Sequence, residues 1–469
     1  MREKVNKISL GEYNKYYKYI IFALFFILLS DLLNGMTYHG TFGTLRLFST
    51  HTQKIFSNHI LIHSIFYFFG TFIISIIFYI IELINAENKK KGKKRPSIKK
   101  RPLIYQKAKF KFSIPNFLLI FFIWILIDRS LEEQKLAFKH LDFWMFELIF
   151  TSYLINKFIK INIFDHHKFS LYINLFPIVF KIITIIYTFK GDTTCIINNK
   201  YNNSFFCNTK YLDEKGRFRS LFVVYWYLVP LGIISYIIIT SLKSYAMIKV
   251  KWFMDFKYIS QNILLMIYGI MGTVFYSGIC ILTTHFKCKE NDDKINISDY
   301  FCRISEEGKN YTTYYDNFSV YFKVTKKTKE EIIELCVIIL GMISFFLQKY
   351  FSIMIIKYLT PVHVGFLVPM RYFFTKIILF TYNTIVHFAK SDKKIFYWDS
   401  MEYLKQKFIF DTFGDIISFI GFLVYLEIIE LNFCNLNINL RKNIILRSRY
   451  DSLGTFEDNS LCEDESEDN

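Results

Sequence analysis

The chain has 469 residues, 52% of them hydrophobic and 19% aromatic, and a formal charge of +18. So much Phe, Ile and Tyr, with a positive mean hydropathy, excludes an ordinary soluble domain and defines the class as a polytopic membrane protein. The basic excess crowds into connections beside apolar runs, which points to membrane topology and anionic lipid and away from nucleic acid.

Ten apolar segments follow one another, at residues 19–36, 60–83, 114–127, 143–158, 169–189, 221–242, 263–284, 332–355, 365–388 and 408–431. Each reads as a membrane helix, since about 20 apolar residues cross a hydrocarbon layer of ~30 Å; the third and fourth are the shortest. The first run starts near Tyr19 and continues into Asp31, Asn34 and His39 with no small-residue cleavage pattern, so it is a helix and not a removable signal. Residues 86–112 hold KKKGKKR and KKR and stay cytoplasmic. That choice puts the N-terminus (residues 1–18), the links at 157–168 and 243–257, and the tail (433–469) inside. The loops at 190–220 and 285–331 fall outside, as does the mildly basic link at 390–407. The tail opens with RKNIILRSR, closes acidic, and is expected to be disordered.

The two outer loops carry glycan acceptor patterns at Asn202, Asn296, Asn310 and Asn317. Cys195 and Cys207 share the first loop and Cys288 and Cys302 the second, as expected for disulfides facing a lumen or the exterior; free thiols are the alternative. Cys280, Cys336, Cys434 and Cys462 are expected to stay reduced.

Charge inside apolar segments is the main functional pointer, because an ionisable group at depth costs several kcal/mol unless it is paired or faces water. Glu147 lies in the fourth segment, Lys181 in the fifth, Arg371 and Lys376 in the ninth, Asp411 and Asp415 in the tenth. Asp411 and Asp415 share a helix face that Gly414, Ser418 and Gly421 continue. This face is expected to meet Arg371 or Lys376 across a helix interface and to border a cavity. The cations would favour an anionic solute, and the carboxylates could exchange a proton; structural ion pairs are the competing explanation. Gly269, Thr273 and Ser277 form a packing face, and Pro177, Pro230 and Pro369 are places where a helix can bend. His39, His51, His59, His63, His166, His167 and His363 show no metal-site spacing and read as solvated. Glycine-rich phosphate loops and nucleophile elbows are missing, so neither an enzyme, a metal nor a cofactor is expected.

Residues 19–189 and 221–432 each hold five segments, and an odd number inserts the second half upside down relative to the first, as in inverted-repeat carriers. In the second half, Thr360-Pro361 with Pro369, and Gly414 with Gly421, form a fourth segment, a short turn and a Gly-containing fifth. Here the chain resembles the drug/metabolite transporter superfamily, the group of EamA-type exporters and nucleotide-sugar transporters. In the first half Asn174 and Pro177 stand where that pattern has small residues. The resemblance implies an all-α protein of ten helices in two inverted halves with both termini cytoplasmic.

The expectation is an integral membrane secondary transporter of a small polar, possibly anionic metabolite, working by alternating access in the plasma membrane or an endomembrane such as Golgi or ER. Its partners would be membrane lipid, the solute and, as one option, a second copy in a homodimer, with no nucleic acid. The alternative is a non-transporting receptor or scaffold with glycosylated outer loops.

Overall fold

The computed structural model describes residues 10–37, 60–90, 115, 117–126, 144–159, 165–180, 182–183, 228–256, 259–283, 302–307, 310–315, 329–389, 402–434, 436–440 and 443. In chain order the main helices are α1 (Leu10–Thr37), α2 (Ile60–Lys90), α3 (Phe117–Leu126) and α4 (Trp144–Leu154), whose last turn widens at Ile155–Ile159. They continue with α5 (Asp165–Ile173), α6 (Leu228–Phe256), α7 (Gln261–Thr283), α8 (Lys329–Tyr358), α9 (Leu367–Ala389) and α10 (Glu402–Tyr425). Every one of the ten apolar segments thus overlaps a helix. Four stretches, Leu61–Asn85, Ile233–Asp255, Gln261–Leu282 and Ile338–Tyr358, are long and apolar enough to cross a membrane; Tyr16–Ser30, Phe117–Leu126 and Thr412–Tyr425 are shorter apolar helices.

The surface of these helices is apolar where a soluble protein would be polar. On α2, Ile73, Ile77, Ile80 and Ile84 recur at helical spacing and are exposed, while His63, Ser64, Thr71 and Ser75 are buried. Thr71 and Ser75 return their hydroxyls to the carbonyls four residues earlier, at 2.8 and 2.5 Å. An exposed apolar stripe over an interior that holds the polar side chains is what a lipid solvent selects.

Two apolar cores organise the packing. In the first, α2 runs against α7, with α3, α6 and α8 around them. Close approach is made possible by Gly269, where an added Cβ would sit 2.6 Å from the Phe72 backbone nitrogen. Gly269 thus belongs to the packing face expected from its spacing with Thr273 and Ser277. Trp124 and Phe122 of α3 meet Tyr268 and Phe275 of α7, and Phe117 meets Phe253 of α6. The second core joins α1, α4, α5, α9 and α10 with Ile248 of α6 and Ile355 of α8. Along the α1–α8 seam, Tyr16 stacks on Tyr358 at 4.5 Å and Phe22 and Phe26 stack on Phe351.

The structure moves three sequence boundaries. The sixth segment was expected at 221–242 with a basic link at 243–257; instead α6 runs to Phe256. Lys243, Lys249 and Lys251 lower the mean hydropathy of this stretch and displace any apolar window towards the N-terminus. Helix α10 stops at Tyr425, short of 431, because Glu427 takes a left-handed φ of 60° and turns the chain. Helix α5 breaks at Asn174–Leu175 ahead of Pro177, whose ring cannot continue the i to i−4 ladder.

One departure from an all-helical chain among the described residues is an antiparallel hairpin between α7 and α8. Strand β1 (Cys302–Glu307) pairs with β2 (Asn310–Tyr315), Cys302 opposite Tyr315. The Thr- and Tyr-rich run NYTTYY favours strand over helix. Of the expected disulfide cysteines, Cys195, Cys207 and Cys288 lie outside the described residues, as does the Cys302 side chain; Cys280, Cys336 and Cys434 form no disulfide. Asn202, Asn296 and Asn317 also lie outside, and Asn310 opens β2.

Candidate functional site

The most deeply buried ion pair joins α4 to α6. Glu147, 2% exposed, sits in the apolar run WMFELIFTSYL and reaches the Lys243 Nζ of α6 at 2.8 Å. One helical turn along, the Thr151 hydroxyl donates to the Glu147 carbonyl at 2.5 Å and lies 2.9 Å from the Ser244 hydroxyl. Ser244 in turn donates to the Thr240 carbonyl at 2.9 Å. The four-residue spacings Glu147/Thr151 and Thr240/Ser244 bring all these groups to one seam. Breaking such a buried pair from one side leaves an uncompensated charge, at a cost of about 3–5 kcal/mol.

A second pair joins α9 to α10. Asp415 is buried on α10 and its carboxylate accepts from Lys376 of α9. Of the two cations expected to meet the α10 face, the geometry selects Lys376. The small residues of that face do something else: they seat the broken α5. An added Cβ at Gly421 would collide with the Asn174 amide, and at Gly414 it would touch Pro177 at 3.6 Å. The Ser170 hydroxyl donates to the Gly421 carbonyl at 2.5 Å, and Asn174 Nδ2 donates to the Ser170 carbonyl at 2.8 Å. Two buried atoms beside these pairs, Asn174 Oδ1 and Thr375 Oγ1, have no protein hydrogen-bond partner, so each can accept a polar group from solvent or solute.

Sequence reading missed the buried lysines of α6 and α8. Lys249 is enclosed by the rings of Tyr245, Trp252 and Phe158 at 5.3, 5.8 and 6.0 Å, and Lys349 by Phe345 and Tyr268 at 5.1 and 6.0 Å. Lys251 donates to the Ile356 carbonyl at 2.9 Å, at the negative end of α8, and pairs with Asp255 at 3.3 Å. Next to it, Lys357 donates to Gln261 at 2.7 Å, and Glu82 of α2 accepts from Ser260 and Asn262 at the start of α7. A signal was available: Tyr245, Lys249 and Trp252 fall on one face at i, i+4 and i+7, aromatic on either side of a cation.

Four of the seven histidines named above overturn the solvated reading, and His39, His51 and His59 lie outside the described residues. His63, His166, His167 and His363 are all buried. His166 Nε2 accepts the Leu431 amide at 3.5 Å, His167 Nε2 lies 3.1 Å from Glu427, and His363 Nδ1 is 2.8 Å from the Thr360 hydroxyl. Their rings also pack on an aromatic: His167 and His363 both meet the Tyr425 edge at 5.1 and 5.0 Å. Aromatic packing and a chain hook after α10 bury these rings, and hydropathy windows see neither. Desolvation lowers the His166 pKa from its ordinary value; the neighbouring His167 pushes the same way, against Glu427, the Ile429 backbone and Glu430.

Of the six charged residues expected at the site, Glu147, Lys376 and Asp415 are in ion pairs, split between the α4–α6 and α9–α10 seams. Arg371 is half-buried on α9 and has interactions of its own. Lys181 lies outside the described residues, and so does the Asp411 side chain on α10. Among the described residues no group of three or more His, Cys, Asp or Glu is arranged to hold a metal ion. No family model matches the chain, and no curated protein is significantly similar to it.

Proposed function

We propose that the protein is a secondary carrier of a small polar, anionic metabolite, built from two inverted five-helix halves. The observation that carries this is the pattern of helix pairs. Exchanging helix n of the first half for helix n+5 of the second turns the α1–α8 pair into α6–α3, α1–α9 into α6–α4, and α2–α8 into α7–α3; both members of each exchange are in contact. The α2–α7 and α5–α10 pairs map onto themselves. The match is incomplete among the described residues: α9 packs along α10 while α4 makes no comparable contact with α5, and the α7–α8 and α6–α8 contacts have no recorded counterparts at α2–α3 and α1–α3. A pseudo-two-fold of this kind is the scaffold of carriers that rock one half against the other about a midplane site. It also supports the resemblance to drug/metabolite transporters, whose two halves are arranged this way.

The Glu147–Lys243 pair then bridges the two halves, so rocking must break or pivot it. An anionic solute that takes over Lys243 would supply the energy for that step, because the lysine exchanges one carboxylate-like partner for another. The balance of buried charge favours an anion: Lys249, Lys251 and Lys349 outnumber Glu147 and Asp415. The test is uptake of labelled anionic and neutral metabolites into proteoliposomes by the native protein, Lys243→Met, Arg371→Ala and Asp415→Asn. Uptake of an anionic class that is lost in folded Lys243→Met supports the reading. Uptake by none of the panel, or identical uptake by all four proteins, removes it.

A further inference from the structure

After α10 the chain doubles back, and its return is fastened to α5 and α1 at separate points. Glu427, held at a left-handed φ of 60°, faces His167 at 3.1 Å; the Leu431 amide donates to His166; the Phe433 ring lies edge-on to Phe169 at 5.5 Å; and the Tyr17 hydroxyl donates to the Leu426 carbonyl at 3.0 Å. We propose that residues 426–434 are a strap latched over the start of α5 by neutral His166, with His167 and Glu427 as its second clasp, and that protonation of His166 releases it.

The chemistry is that of a single lone pair. Neutral imidazole can accept the Leu431 N–H at Nε2, whereas imidazolium presents N–H at both ring nitrogens and so sets donor against donor. The ring is fully buried, at 0% exposure, and protonation there also places a charge beside His167, whose ring centroid is 5.6 Å away. The clasp between His167 and Glu427 does not demand a charged imidazole, since a neutral ring with its N–H at Nε2 also presents a donor to the carboxylate, a weaker one than imidazolium.

The charged surroundings have been weighed from each packed element. On α5 itself, Asp165 and Lys168 are exposed and engaged with each other at 2.9 Å. On the strap, Glu427, the Ile429 backbone and Glu430 favour the protonated ring; His363 in the turn ahead of α9 and Tyr425 at the end of α10 close the cluster through ring contacts. Burial together with His167 outweighs the two carboxylates and the Ile429 backbone, so the latched ring sits below the ordinary imidazole range. A depressed histidine means the latched state binds fewer protons than the released one. The latch is therefore complete above pH ~6.5 and weakens as pH falls below it.

Hydrogen exchange of the full chain in phosphatidylcholine nanodiscs, at pH 7.5 and 5.0 and corrected for intrinsic exchange rates, reads this directly. In the native protein, protection of the peptide covering 426–434 should drop by up to about thirtyfold, the largest factor one ring of ordinary pKa ~6.5 gives at pH 5.0. His166→Gln keeps an acceptor that does not titrate, so its strap should stay protected at both pH values. His167→Gln retains His166 and should still show the drop, which keeps the inference testable if His166→Gln does not fold. Equal protection of the native strap at both pH values overturns the latch. So does a drop that persists in His166→Gln or vanishes in His167→Gln, or an equal loss of protection in an α7 peptide, which would mean general acid loosening. None of these outcomes depends on whether the protein carries a solute.

Discussion

Removing one charge at the α4–α6 seam should cost far more than removing both. Lys243→Met leaves the Glu147 side chain, 3% exposed, without its cation at 2.8 Å, and the expected loss is about 3–5 kcal/mol. Glu147→Gln is milder, about 2 kcal/mol, because Lys243 is 15% exposed on a flexible stem that can swing its amine towards water. The double variant Glu147→Gln/Lys243→Met has neither charge and keeps the volume, so it should lie within about 1 kcal/mol of the native protein. With an unfolding entropy of ~2 cal/mol/K per residue over 469 residues, 1 kcal/mol corresponds to about one degree. Lys243→Met should therefore melt at least about 3–5 °C lower, Glu147→Gln about 2 °C lower, and the double variant near the native temperature. Thermal melts in detergent followed by tryptophan fluorescence give all three. If the double variant is as destabilised as the sum of the singles, the pair is not coupled and its place in the mechanism is lost.

Three further expectations can be checked by the same melts or by flux. Gly269→Ala should lower the melting temperature by roughly 1–3 °C, since its Cβ meets α2 backbone, while Gly278→Ala, with open space around it, should be neutral or slightly stabilising. Lys251→Met removes the donor at the end of α8 and leaves Asp255 without its cation, so a loss of about 2–4 kcal/mol is expected; a neutral result would mean that the α8 carbonyls are served by water. Deleting residues 292–327, which include the β1–β2 hairpin, should leave solute flux intact and melting nearly unchanged. A protein that loses all function with this loop would be acting through it as a receptor.

Each of the ten apolar segments overlaps a helix among the described residues, and four of these helices are long and apolar enough to cross a membrane; a long apolar run has one good solution in lipid, and the pattern needs no tertiary information. The α9–α10 ion pair was partly legible too: Asp415 with Gly414 and Ser418 on one face announced an inward-looking strip, and only the choice between Arg371 and Lys376 required coordinates. What stayed hidden was every burial that depends on a distant partner. Lys243, Lys249 and Lys251 look like a basic cytoplasmic link until Glu147, the Tyr245, Trp252 and Phe158 rings, and the end of α8 are brought against them. His166 and His167 look like a solvated turn until the chain beyond Tyr425 folds back over them. In both cases a local hydropathy average reports the polarity of a side chain, whereas its fate is set in part by partners more than 90 residues away, such as Glu147 for Lys243, Phe158 for Lys249 and Leu431 for His166.

The inverted arrangement of the two halves is tested most directly by where two equivalent links lie. In the proposed arrangement of two halves, the connection between α4 and α5, at residues 160–164, and that between α9 and α10, at residues 390–401, would occupy matching places. Single cysteines placed in each, in a chain lacking other reactive thiols, can be labelled with a membrane-impermeant maleimide in oriented vesicles. Inversion predicts labelling of the two links from opposite faces of the membrane; labelling of both from the same face contradicts it, and with it the carrier built on two rocking halves.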